Sequence, residues 1–312
     1  MKFVLVVVAA FFIATPAASL EADCRPPSIG LVLGSGGAGG LAHIAMLGVF
    51  EDLELQPAAM AGTSIGAVVA ALYAAGLSAS EIQDLFRDFG GSALDPLTGL
   101  LKEESAPGWS DLLEIDLAKG SFIDARQFIR FIAERFDQRL LEQLEIPLQI
   151  VATDYWTGEA HVFRSGDLLQ AIQASMAVPG LFAPVALGEQ LLIDGGASNP
   201  LPVDLLEGLD IVVAIDVTGT RDPNRDGTPG ITDLLFSTFE IMQQSILCAK
   251  LEHQRPEIHI KPELAGVRLL HFDRVDAIVE QAKPAAAELR RQLRAHLGDW
   301  QDCRSAAADG NS

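Results

Sequence analysis

The sequence predicts an α/β fold, a three-layer sandwich around a central, mostly parallel β-sheet. Three observations carry that expectation. Short apolar runs of strand length alternate with longer segments of helical period, as strand–helix–strand units require. Two strand-to-helix junctions are glycine-rich, at Gly34–Gly40 and Gly62–Gly66. No internal repeat interrupts the alternation, so a layered domain is expected rather than a solenoid.

The first segment is set apart from the fold. Lys2 precedes an unbroken apolar run from Phe3 to Ile13, and small residues follow from Ala14 to Ser19. That is the grammar of a secretory signal peptide over residues 1–19, with cleavage near 17–19. The run is shorter than the roughly 20 residues a spanning helix needs. The mature chain is therefore expected to be exported, periplasmic or secreted, with one domain over residues 28–300 and a disordered tail over 305–312. In an oxidising compartment, Cys24 and Cys303 are the pair placed to tie the two ends together, but nothing in their spacing proves it.

Ile29–Leu33 reads as the first buried strand. Leu41, Ile44, Ala45, Leu47 and Phe50 then recur at helical spacing up to Leu53. A short strand near Ala58–Ala61 runs into Gly62-Thr63-Ser64-Ile65-Gly66, and an alanine- and valine-rich helix follows to Ala75, stopped by Gly76. Phe128–Phe136 marks another helix. Further strands are expected at Leu148–Ala152, His161–Phe163, Gln190–Ile193, Ile211–Asp216 and Ile258–Ile260, and a long helix at Arg274–Leu297. Gly90–Gly120 has no clean period and is long enough for a lid; within it, Leu94–Trp109, with Leu97, Leu100, Leu101 and Trp109 among polar residues, is the expected contact with an apolar surface. The stripe Leu234, Leu235, Phe239, Ile241, Met242, Ile246 within Ile231–Leu247 reads as core.

Charge narrows the partners. The chain holds 22 Lys+Arg against 42 Asp+Glu, a net charge of -20. Nucleic acid, which rewards basic stripes, is excluded as a partner, and so is broad electrostatic adhesion to anionic lipid. No Cys/His spacing fits a metal site, and no cofactor is expected.

Gly62-x-Ser64-x-Gly66 between strand and helix is the pattern of a strained turn that presents a serine at a helix N-terminus, where dipole and N–H groups favour developing negative charge. A tight turn with a helix-capping serine is equally compatible with the motif alone. Gly34–Gly40 also fits a dinucleotide fingerprint, but Asp52 and Glu54 fall within or just after the helix rather than at the end of a second strand. Backbone N–H groups aimed at an oxyanion suit the loop better, given an elbow serine within 30 residues. Asp194-Gly195-Gly196 reads by itself as a turn, and next to a nucleophile as a base.

Together the glycine-rich loop, the serine elbow and Asp-Gly-Gly resemble the patatin-like phospholipases. The likeness extends to Ala61–Ala67, to Ala171–Val185, to Leu192–Gly196 with Asn199-Pro-Leu-Pro202, and to Ala152-Thr-Asp154 with Thr157-Gly-Glu159, covering about Ile29 to Pro202. The resemblance implies a patatin-like fold and a lipid acyl hydrolase, a phospholipase A or carboxylic ester hydrolase. It implies Ser64 as nucleophile and Asp194 as its base. Gly36, Gly37 and Ala38 would form the oxyanion hole, and Gly62 and Gly66 the elbow. No cofactor is needed, the substrate is a phospholipid or other acyl-ester lipid, and peripheral membrane contact goes with it. One departure stands out: the family usually carries Arg or Lys where this sequence has Gly39.

Two other readings share parts of this pattern. An α/β-hydrolase with a Ser-Asp-His triad would draw its histidine from His253, His259, His271 or His296. A catalytically inactive lipid-binding protein would account for the missing cation at Gly39. His43, beside the loop, reads as structural.

Overall fold

The structure, a computed structural model, describes residues 25–92, 131–135, 137–219, 231–267, 269 and 271–309. Its chain divides into a main unit, Pro27–Leu297, and a second made of Met1–Pro26 and Gly298–Ser312. The leader, Cys24, Leu94–Trp109, the start of the Phe128–Phe136 helix and the loop 220–230 lie outside the described residues, as does the Cys303 side chain. Cys248 is exposed and unpaired.

Eight strands form one sheet: β1 (Ile29–Leu33), β2 (Ala59–Thr63), β3 (Leu148–Asp154), β4 (Ala160–Phe163), β5 (Val185–Leu187), β6 (Gln190–Asp194), β7 (Ile211–Ile215) and β8 (Ile258–Ile260). Their order is β5-β6-β3-β2-β1-β7-β8, with β4 also paired to β3. The five strands from β3 to β8 run parallel, and β4, β5 and β6 add antiparallel pairings at one edge. β1 and β7 are buried at every position, as expected of parallel strands covered on both faces.

Of the helices α1 (His43–Asp52), α2 (Ile65–Ala74), α3 (Ala79–Ser92) and α4 (Leu168–Ser175), α2 and α4 lie against the strands, and α1 and α3 pack on α2 and on each other. The sequence signals for α3 and α4 are their caps. Ser78 and Glu81 close a capping box, Glu81 Oε2 accepting the Ser78 N–H at 2.8 Å, and Asp167 accepts the Gln170 N–H at 2.7 Å. On the other face, Val32, Ala61, Val212 and Ala214 pack against Leu201, Val203, Leu206 and Leu247. Leu247 belongs to α5 (Ile231–His253), which makes the third layer.

Two expectations are corrected here. The closing helix α6 runs Val275–Asp309, so helix takes residues 305–309, expected as disordered tail; Ala306-Ala307-Ala308 favours that extension. The apolar stripe of α5 is not all core. Leu247 is buried, Phe239 and Ile246 are half-buried, and Leu234, Leu235, Ile241 and Met242 are exposed, because the apolar residues spread round more of the helix than one buried face can cover. Among the described residues no helix is long and apolar enough to cross a membrane.

Candidate active site

Ser64 sits between β2 and α2 with φ 56° and ψ −126°, a backbone conformation that non-glycine residues rarely adopt. Such strain, about 1–3 kcal/mol, persists only where neighbours over-determine it. Gly66 shows how tightly they do so: a Cβ there would lie 2.1 Å from the Leu33 carbonyl oxygen. The Ser64 N–H donates to Ser175 Oγ at 2.8 Å, and the Ser175 hydroxyl donates in turn to Val151 O at 2.6 Å. This fully buried serine at the end of α4 therefore fastens the elbow to β3. Sequence reasoning missed it, although it stands inside the Ala171–Val185 block.

Asp194 ends β6 opposite Ala152 of β3, completely buried. Its own N–H donates to Ala177 O at 2.9 Å, and Thr153 Oγ1 donates to its carbonyl at 2.9 Å, so the backbone is held from both sides. Oδ1 accepts the Gly196 N–H at 2.7 Å, while Oδ2 has no hydrogen-bond partner. Burial pushes the carboxyl from its ordinary 3.8 up to about 7, against the opposing pull of the Ser64 hydroxyl and the Gly196 N–H. Ser64 and Asp194 are thus electrostatic neighbours, with Oδ2 left without a closed hydrogen bond.

The loop after β1 completes the site. Gly36 approaches the segment after β7 so closely that a Cβ would meet Val217 O at 2.2 Å. Among the described residues, the N–H groups of Gly36 and Gly37 donate to no protein acceptor. Ala38 differs from expectation: its N–H donates to Leu269 O at 2.8 Å, so it is not an available oxyanion donor in this arrangement. His43 Nε2 donates to Gly34 O at 2.9 Å, and burial lowers its pKa to about 4. It is a neutral pin for the loop, as read from the sequence. Gln243 of α5, also missed, donates from Nε2 to Ser35 Oγ at 3.0 Å and so holds the loop from the other face.

Ser35, Gly36, Gly37 and Ser64 line one cavity, whose other walls are largely apolar: Met176, Val178, Leu181, Phe182, Phe239 and Phe272. Such a lining suits an acyl chain with its carbonyl at Ser64. None of the four candidate triad histidines lines this cavity, and among the described residues the groups that act on the Asp194 carboxyl are the Ser64 hydroxyl and the Gly196 N–H, not an imidazole. Gly39 is buried beside a second hollow lined by Gly36, Thr218, Gly219, Glu240 and Leu264. A Cβ at Gly39 would lie 3.3 Å from Val217 O and 3.4 Å from Leu264 Cδ1, a tight fit already for alanine. Among the described residues no group of three or more His, Cys, Asp or Glu is placed to hold a metal ion.

Residues 31–207 match the family model for the patatin-like phospholipases. An uncharacterized NTE family protein of Mycobacterium tuberculosis is 32% identical over 220 residues, 70% of this chain and 57% of that protein. A second from the same species is 28% identical over 287 residues, 83% of this chain and 46% of the other. The patatin-like phospholipase domain-containing protein 6 of Mus musculus is 33% identical over 207 residues, 65% of this chain and 14% of that one. This chain thus spans about half the length of the mycobacterial relatives. Among solved structures, VipD from Legionella pneumophila aligns with a TM-score of 0.46 at 17% identity, covering 85% of this chain and 67% of VipD.

Proposed function

The chain belongs to the patatin-like phospholipase family, and on that premise we propose that it is a serine lipid acyl hydrolase with Ser64 as nucleophile and Asp194 as its only catalytic partner. The observation that carries this reading is the pairing of a strained serine with a buried carboxylate whose Oδ2 is unengaged. Ser64 Oγ attacks the ester carbonyl as its proton passes to Asp194 Oδ2. The N–H groups of Gly36 and Gly37 hold the oxyanion, helped by the N-terminus of α2. The tetrahedral intermediate collapses, the alcohol leaves with the proton returned by Asp194, and the acyl group stays on Ser64. Water, giving its proton to Asp194, then attacks the acyl carbonyl, and Asp194 returns that proton to Ser64 Oγ as the fatty acid leaves. The leader-like start, Lys2–Ser19, adds the proposal that this chemistry takes place outside the cytoplasm.

The test is a serine-reactive fluorophosphonate probe run alongside hydrolysis of a medium-chain p-nitrophenyl ester and of phosphatidylcholine vesicles. Wild type is expected to be labelled and to cleave both substrates, and folded Ser64→Ala to do neither. Folded wild type that takes no label and cleaves nothing would favour the lipid-binding reading.

Ser175 is a positioning residue in this scheme. Ser175→Ala removes the acceptor of the Ser64 N–H and leaves a buried donor unpaired. On a soluble ester, kcat is expected to fall about ten- to hundredfold with KM little changed, since a small displacement of the attacking atom costs that much. Ser175→Cys, similar in size with a weaker acceptor, should fall between the two. Equal kcat in all three would remove the role.

A further inference from the structure

We propose that the outer face of α5 is a docking surface for electrically neutral lipid, an inference that rests on the reading of the substrate as a membrane lipid. Leu234, Leu235, Ile241 and Met242 are 50%, 61%, 42% and 54% exposed on this helix. Thr238, Ser245, Cys248 and Ala249 are exposed there too, so no exposed position from Leu234 to Ala249 carries a charge. In a chain of which 21% is charged, that face stands out by its lack of exposed charge.

Three arguments select the occupant. The adjoining inner side of the same helix supplies Phe239 and Gln243 to the cavity that holds Ser64. A lipid surface lying on the outer face therefore comes within one helix diameter, about 10 Å, of that cavity. The strip is about 22 Å long and one helix wide, on the order of 200 Å². A stable protein interface takes about 800 Å² from each partner, so a second copy of this chain fits the strip poorly. Finally, interfacial helices that seek anionic lipid carry Lys and Arg around the apolar face. This one exposes none between Leu234 and Ala249, in a chain of net charge -20 that anionic headgroups repel.

The experiment uses the full chain carrying Ser64→Ala, so that vesicles are not degraded, in flotation with phosphatidylcholine vesicles. The chain is expected to float with them, and Leu235→Glu combined with Met242→Glu to cut the bound fraction at least about tenfold. With Ser64 intact, the same pair should lower hydrolysis of the vesicles by a similar factor and leave a soluble short-chain ester unaffected. Circular dichroism checks folding independently of activity. Flotation unchanged by the double substitution overturns the proposal, as does binding that appears only when phosphatidylserine is added. A wild-type dimer that the double substitution splits, with vesicle binding intact, assigns the face to a second copy and also overturns it. Flotation through this face by a wild type that cleaves neither ester nor phospholipid would leave the docking surface standing and refute the hydrolase reading alone.

Discussion

Asp194→Asn is expected to lower kcat/KM about a hundred- to ten-thousandfold while making the folded chain harder to melt above neutral pH. Both effects come from the same burial. The folded carboxyl titrates at about 7 and an ordinary one at 3.8, so between those values the folded state holds the proton that the unfolded state has lost. Stability therefore falls as pH rises through that window, and the full cost of the buried charge is present above about 7. Asparagine keeps the acceptor for the Gly196 N–H and removes the charge. The gain should be a few kcal/mol, several degrees in melting temperature, at pH values above about 7, and absent below about 4. His43 acts in the opposite sense: its pKa, lowered from 6.5 to about 4, costs stability as pH falls through that range. The difference between wild type and variant cancels that contribution. In wild type, the general base must be ionised, so kcat/KM on a soluble ester should rise about tenfold per pH unit up to about 7 and then level off. A flat profile across the neutral range, or an active Asp194→Asn, would sink the dyad.

The second large effect is expected at Gly66. Alanine there would place its Cβ 2.1 Å from Leu33 O and 2.6 Å from Gly34 O, both backbone atoms that cannot swing aside as a side chain does. Either the end of β1 moves or the elbow opens, and both displace Ser64 from the glycine loop. Gly66→Ala should destabilise the fold by about 3 kcal/mol or more and take hydrolysis close to background. Gly48 in α1 is the control. Nothing lies within 4 Å of a Cβ built there, so Gly48→Ala should stabilise by about 0.5–1 kcal/mol and leave activity alone. Denaturant melts and ester kinetics on the two variants check this; a Gly66→Ala with wild-type stability would show that the elbow is looser than described.

Much of the scaffold was legible because local patterns decided it. β1 and β8 have the bounds expected from their apolar runs, and the helix after Ser64 follows from its alanine-rich sequence. α3 has local signals too, in Ser78-x-x-Glu81 and the spacing of Ile82, Leu85, Phe86 and Phe89. The short strand β5 was hidden because Val185–Leu187 is only three residues long and follows Pro184. What could not be read were long-range hydrogen bonds. Ser175 meets Ser64 across 111 positions and Gln243 meets Ser35 across 208, and neither residue type announces such a partner. The Ala38 N–H is a case of the same kind: the glycine-rich pattern suggests a donor, and only the folded chain shows the carbonyl of Leu269 already accepting from it.

The strand order has a consequence for where chemistry can arise in this architecture. From β1 the chain winds outward through β2 to β3, whereas β7, on the other side of β1, winds outward to β8 in the opposite direction. The carboxyl ends of β1 and β7 thus flank a topological switch point, where connections diverge and leave a crevice whatever the side chains are. Dinucleotide-binding folds use that crevice with a glycine loop after the first strand, which is why Gly34–Gly40 imitates their fingerprint. Here the hollow at Gly36, Gly39, Thr218 and Gly219 occupies the crevice, while the nucleophile stands one strand away, after β2. A common topological opening supplies the N–H donors, and under the proposed function the reactive group on the neighbouring strand turns a place suited to holding phosphate into one suited to breaking esters.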